Sequence, residues 1–145
     1  MANSMTTPAK TLTELNKVVV AFLNRPRQKG YVYNFSSLRD SFHLLPPDNP
    51  LQQQGTEVEF KEVKAVFFVR DFVGNHEHKP NPLVVEPLKH GRKIKVTCAD
   101  SEILVGTTEA YNPQKLGFFM FPADSECNNL RIFVVNKNAK GVRFL

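Results

Sequence analysis

The residue types best suited to chemistry cluster between Asp71 and His90, where His76 and His78 flank Glu77 in a stretch broken by three prolines and two asparagines. Imidazoles and carboxylates are the usual ligands of zinc. A stretch of this composition reads as a solvated linker, so no metal centre and no cofactor are expected. The two thiols are the other reactive groups. Cys98 falls within an apolar alternation and is expected in the core, whereas Cys127, in SECNN, is expected as an exposed loop thiol with no charged activator beside it. Both are expected to be free, in keeping with a cytoplasmic location. No Ser, His and Asp motif and no phosphate-cradling glycine loop is present. No catalytic residue is therefore assigned, and the chain is expected not to be an enzyme.

The formal charge of +5 invites a polyanion partner. Its distribution argues for a solvated surface instead, since Lys and Arg are interleaved with acids, as in TEVEFKEVK. The densest basic cluster is KHGRKIK, with Lys89, Arg92, Lys93 and Lys95. The start, MANSMTTPAK, lacks the charged-then-apolar order of a signal peptide, and no apolar run approaches the roughly 20 residues of a membrane helix.

The elements that must position these groups are read from an internal repeat. A step of 76 residues superposes Lys17 on Lys93, Val20 on Val96, Gly30 on Gly106, Phe42 on Phe118, Pro46 on Pro122 and Asp48 on Asp124. It continues through Val58 and Val134, Lys61 and Lys137, Lys64 and Lys140, Val66 and Val142, and Phe68 and Phe144. No gap is needed, and chance would give about 3 such identities. The chain is thus two copies of one unit.

Each copy opens with a strand whose apolar residues alternate: Val18, Val20 and Phe22, then Ile94, Val96 and Cys98. A second strand carries Gly30 or Gly106 in mid-run, where a glycine marks a bend or a close backbone approach. FHLL and FFMF form the third, EVEF and RIFVV the fourth, KAVFFV and GVRFL the fifth. Five short, bent strands bury their apolar face most simply by closing into a small barrel. The predicted architecture is all-β: two tandem five-stranded small barrels of the Sm-like or SH3-like type, with a short N-terminal helix from the capping-box spacing of Thr11 and Glu14. The expected divisions are a disordered 1–10, a first barrel with its helix over 11–69, a linker over 70–92 and a second barrel over 93–145. Phe118 and Met120 should face inward, leaving Phe119 and Phe121 in need of another surface. LRIFVV and AVFFV are apolar on both faces, so Phe67, Val69, Phe133 and Val135 are expected at a contact between barrels.

The order of apolar strand, turn, glycine-bearing strand, aromatic-plus-polar pair and apolar third strand resembles the Sm-like family, including its Hfq-type members. Val96, Gly106, Tyr111 and Asn112 stand where its first motif has valine, glycine, aromatic and aspartate; Val20, Gly30, Phe35 and Ser36 stand there in the first copy. Lys137, Asn138 and Ala139 are similar to the Lys-His-Ala of Hfq-type members, whereas the first copy has Lys61, Glu62 and Val63. The tandem arrangement looks like an uncharacterised bacterial family of such double units. The resemblance implies a small barrel, an RNA-binding alternative, and rings in which the fourth strand of one unit pairs with the fifth of the next.

A second resemblance, of NFSSLR to the Asn-x-Ser-x-x-Gly of PilZ-type cyclic-dinucleotide receptors, has Arg39 in place of the glycine and only RPRQK as its arginine segment. The expected function is a non-enzymatic binding or scaffolding module that binds protein partners or self-assembles, with no membrane partner. The alternatives are RNA binding through the barrel loops and a PilZ-like receptor. Single-stranded RNA needs stacking rings beside cations, and Tyr111, Asn112, Lys115, Lys137 and Asn138 form the best such set.

Overall fold

The computed structural model describes residues 14–51, 55–73, 91–124 and 127–145. Ten strands occur among them: β1 (Asn16–Phe22), β2 (Gln28–Val32), β3 (Ser41–Leu44), β4 (Thr56–Glu59), β5 (Val63–Val69), β6 (Arg92–Cys98), β7 (Ile103–Thr108), β8 (Gly117–Pro122), β9 (Asn129–Val135) and β10 (Ala139–Phe144). The described chain is all-β, with only short 3₁₀ turns and no α-helix among these residues. The helix expected around Thr11 lies almost wholly outside the described residues. Most of the 70–92 linker, with His76, His78 and His90, does too.

The step of 76 that aligns the sequence also aligns the elements. It carries Asn16 and Phe22, the limits of β1, onto Arg92 and Cys98, the limits of β6. It carries the 3₁₀ turn Phe60–Glu62 onto the turn Asn136–Asn138. The remaining strands begin or end within a few residues of their counterparts.

Eight strands form one antiparallel sheet in the order β10-β6-β7-β8-β9-β5-β1-β2, and β3 pairs with β4 in a second, two-stranded sheet. The two sheets are stitched by a single bridge between Tyr31 and Leu45, whose amides and carbonyls exchange bonds of 3.0 and 2.8 Å. Among the described residues the ribbon of strands therefore ends at β10 on one side and β4 on the other.

Glycine makes the tight crossings possible. A side chain at Gly30 would stand 2.5 Å from the Leu45 carbonyl oxygen, and one at Gly106 would collide with the carbonyl of Phe121. Without Cβ atoms these strands approach their third-strand neighbours across the bend.

The core is divided between the faces of β5 and β9, which are buried on both sides. Strand alternation sends Val66 and Phe68 to one face and Ala65, Phe67 and Val69 to the other. One cluster joins Val18, Val20, Phe42, Val58 and Phe60 of the first repeat to Phe133 and Val135 of the second. The other joins Ile94, Val96, Phe118 and Met120 of the second repeat to Ala21, Ala65, Phe67 and Val69 of the first. Each repeat thus completes its core with side chains of the other. Burying a phenylalanine contributes about 1.5–3 kcal/mol, so neither set of strands is packed independently.

Candidate functional site

The join between repeats is the antiparallel pairing of β5 with β9. Ala65 stands opposite Val134, Val66 opposite Phe133, Phe67 opposite Ile132 and Phe68 opposite Arg131. Phe67, Val69, Phe133 and Val135 all lie on these two strands. Phe119, turned away from its own core, packs on Phe35, Phe68 and Phe133 with ring centroids 5.1–6.2 Å apart. That contact covers Phe119, one of the two outward rings of FFMF. Arg131 lies 4.4 Å over both Phe68 and Phe119, and burial pulls its pKa below the usual value.

Two polar devices tie the join. The side-chain amide of Asn138 donates to the carbonyls of Val63 (2.8 Å), Lys61 (3.1 Å) and, at 3.5 Å, Phe60. These are carbonyls of the 3₁₀ turn and the start of β5; that of Phe60 also accepts the Val63 N–H. The second device is Lys64, 4% exposed near the start of β5, whose ammonium donates to Asp100 (2.9 Å) and to Glu102 in the β6–β7 turn. Burial would lower the Lys64 pKa, but the hydrogen bonds to Glu102 and Asp100 outweigh it and hold it above its ordinary value. The same bond from Lys64 holds the Asp100 carboxyl below its usual range. Ser101, at the tip of this turn, has a left-handed backbone with φ of 74°. Sequence reading missed this cluster, although a lysine inside the apolar run VKAVFFV was a visible sign that a buried counter-charge must exist.

The residues expected to meet RNA are only partly brought together. Tyr111, Lys115 and Lys137 line one concavity of about 340 Å³, with Leu116, Asn136 and Val142 also on its wall. The Tyr111 ring is held edge-on by Phe118 and Phe144, at 5.0 and 5.6 Å. Among the described residues neither Lys115 nor Lys137 forms an ion pair. Asn112 serves the loop instead: its side-chain oxygen accepts from the Gln114 amide at 2.9 Å, and its carbonyl accepts from the Asn136 side chain at 2.9 Å. Asn138 is turned into the join, away from the concavity. Gly141, also on the wall, has no atom within 4 Å of where a Cβ would stand.

The other candidates are placed as follows. Arg25 stacks 3.9 Å over Phe22 and pairs with Glu62 at 3.4 Å, while Arg27 pairs with Glu102 at 2.9 Å. The arginines of RPRQK are thus engaged within the fold. Both cysteines are free and buried, and burial raises their pKa values, that of Cys98 to about 11. Cys127 is a correction, since it was expected exposed: its thiol donates to the Asn129 carbonyl at 3.6 Å under the start of β9. The Asp71 backbone is held by the Asn128 side chain, its carbonyl accepting at 2.8 Å.

No curated protein and no solved structure matches the chain. The model of the family of unknown function DUF6982 matches residues 10–145, and the chain belongs to that family.

Proposed function

We propose that the chain is a non-enzymatic binding and scaffolding module, two Sm-like small barrels fused side by side, which assembles with further copies of itself through its open strand edges. The observation that carries this reading is the identity of those edges. Inside the chain, the fifth strand of the first repeat pairs with the fourth strand of the second. The two strands left open among the described residues, β10 and β4, are the fifth strand of the second repeat and the fourth of the first. Repeating the internal operation places β10 of one copy against β4 of the next. Such a head-to-tail contact closes into a ring or continues as a filament. The bends at Gly30 and Gly106 support the barrel form, and the two buried cysteines and the paired arginines favour a binding role over a redox or cyclic-dinucleotide one.

Sedimentation velocity over a range of concentrations tests the proposal. The Leu145 amide bonds to Lys93, so alternation along the strand turns the Val142 N–H outward. Concentration-dependent species above the monomer are expected, and Val142→Pro, which removes an outward donor, is expected to suppress them. A monomer at every concentration counts against self-assembly.

RNA binding is the second reading, favoured by the meeting of Tyr111, Lys115 and Lys137 around one concavity. It predicts copurifying nucleic acid, seen in the ultraviolet absorbance ratio, and a salt dependence that falls by about 1 in slope for each lysine removed.

A further inference from the structure

The concavity at the outer edge has a filled counterpart inside the molecule. Stepping back 76 residues from Tyr111, Asn136 and Val142 lands on Phe35, Phe60 and Val66. In that inner socket the Phe133 ring lies 5.4 Å from Phe35 and 5.6 Å from Phe60, and Phe133 stands opposite Val66. The socket is aromatic and so is its plug, which is left 1% exposed. In the outer socket the two rings are replaced by a phenol and an amide, and Lys115 and Lys137 flank them. A lysine-flanked polar socket suits a carboxylate, which accepts charge-assisted hydrogen bonds.

The strand position that would fill the outer socket follows from the same step, which carries Phe133 back to Glu57. Glu57 lies exposed on the open strand β4, within 2.8 Å of the Ser41 hydroxyl that donates to it. The step takes Lys115 and Lys137 back to Arg39 and Lys61, so both sockets carry cations at these positions. What changes together is the rest: Phe35 and Phe60 give way to Tyr111 and Asn136, and the plug Phe133 to Glu57. We propose that the Tyr111–Lys115–Lys137 socket receives Glu57 of a second copy of this chain, with that copy's β4 added antiparallel to β10 and Glu57 opposite Val142.

This inference rests on the edge-pairing reading above and adds to it the residues that set register. The contact between copies is weaker than the join within one. The position of Asn138 is taken in the first repeat by Glu62, which has no hydrogen to donate to a carbonyl. The positions of Asp100 and Glu102 are taken by Asn24 and Pro26, so Lys140, the counterpart of Lys64, finds no carboxylate pair there. What remains is strand pairing steered by exposed charge, which salt screens.

The test is sedimentation velocity of the full chain at low and high salt, for the parent, Glu57→Lys, the double variant Lys115→Glu/Lys137→Glu, and an equimolar mixture of the two variants. The parent is expected to associate more at low salt, each variant alone about tenfold less tightly or worse, and the mixture to recover association because the reversed charges face each other. A parent that stays monomeric overturns both the edge pairing and the socket. A parent that associates with no response to either variant, or variants that fail to rescue each other, overturns the socket and leaves edge pairing standing. Nucleic acid carried by the parent and lost from the lysine variant, without rescue in the mixture, assigns the socket to a polynucleotide instead.

Discussion

The side-chain amide of Asn138 donates to the main-chain carbonyl of Val63 at 2.8 Å, a bond between residues 75 apart in sequence that joins the 3₁₀ turn of one repeat to the fifth strand of the other. Asn138→Asp keeps the shape but replaces the donor with a carboxylate facing carbonyl oxygens. A loss of about 1–3 kcal/mol is expected, read as a lower urea midpoint. An unchanged midpoint would show that water satisfies these carbonyls as well as the amide does.

Phe133→Ala removes the plug shared by both repeats at a position 1% exposed. Destabilisation of about 3–5 kcal/mol is expected. Because the core clusters cross the join, thermal unfolding of the variant should remain a single transition. Two separated transitions would show that the repeats unfold as independent bodies.

Gly106→Ala and Gly141→Ala form a matched pair on strands of the same repeat. At Gly106 the added methyl meets the Phe121 carbonyl, so β7 and β8 must separate, at a cost of about 1–3 kcal/mol. At Gly141 the space is open, and loss of unfolded-state freedom should leave stability unchanged or raise it by about 0.4–1 kcal/mol. Equal melting temperatures for the two variants would contradict this packing.

The Lys64 ion pairs predict a pH window. Asp100, with its pKa depressed, contributes stability above the ordinary carboxylate range and loses it as pH falls through that range toward its folded value. Lys64, with its pKa raised, contributes below the ordinary lysine range and loses it as pH rises through its folded value. Chemical denaturation against pH should therefore show a plateau with losses at both ends, and Lys64→Met should flatten the acid limb. An acid limb that survives in the variant would assign it to other carboxylates.

The Cys98 thiol, pushed up to about 11 by burial, is protonated at neutral pH. Labelling by a thiol reagent at pH about 8, near the pKa of a free cysteine, is expected only on unfolding, at a rate that follows denaturant. Fast labelling of Cys98 in the native protein would show that β6 opens locally.

The strands, though not their limits, were legible in the sequence because they depend on short-range periodicity. Alternation at Val18, Val20 and Phe22 and at Ile94, Val96 and Cys98 marks a half-buried strand wherever it lies, and the step of 76 doubles every such signal. The pair AVFFV and LRIFVV was legible as well, since a strand apolar on both faces must be covered on both. Only the tertiary structure decided what the polar residues do. Lys64 meets Asp100 and Glu102 across 36 and 38 residues, and Asn138 meets Val63 across 75. Those encounters depend on how β5 and β9 are joined, and no local pattern encodes a partner that the chain reaches only after both repeats have closed. The same join decided that Asn138 turns away from Tyr111 and Lys137, and that Phe35 is covered by a ring while Tyr111 is left facing an open socket.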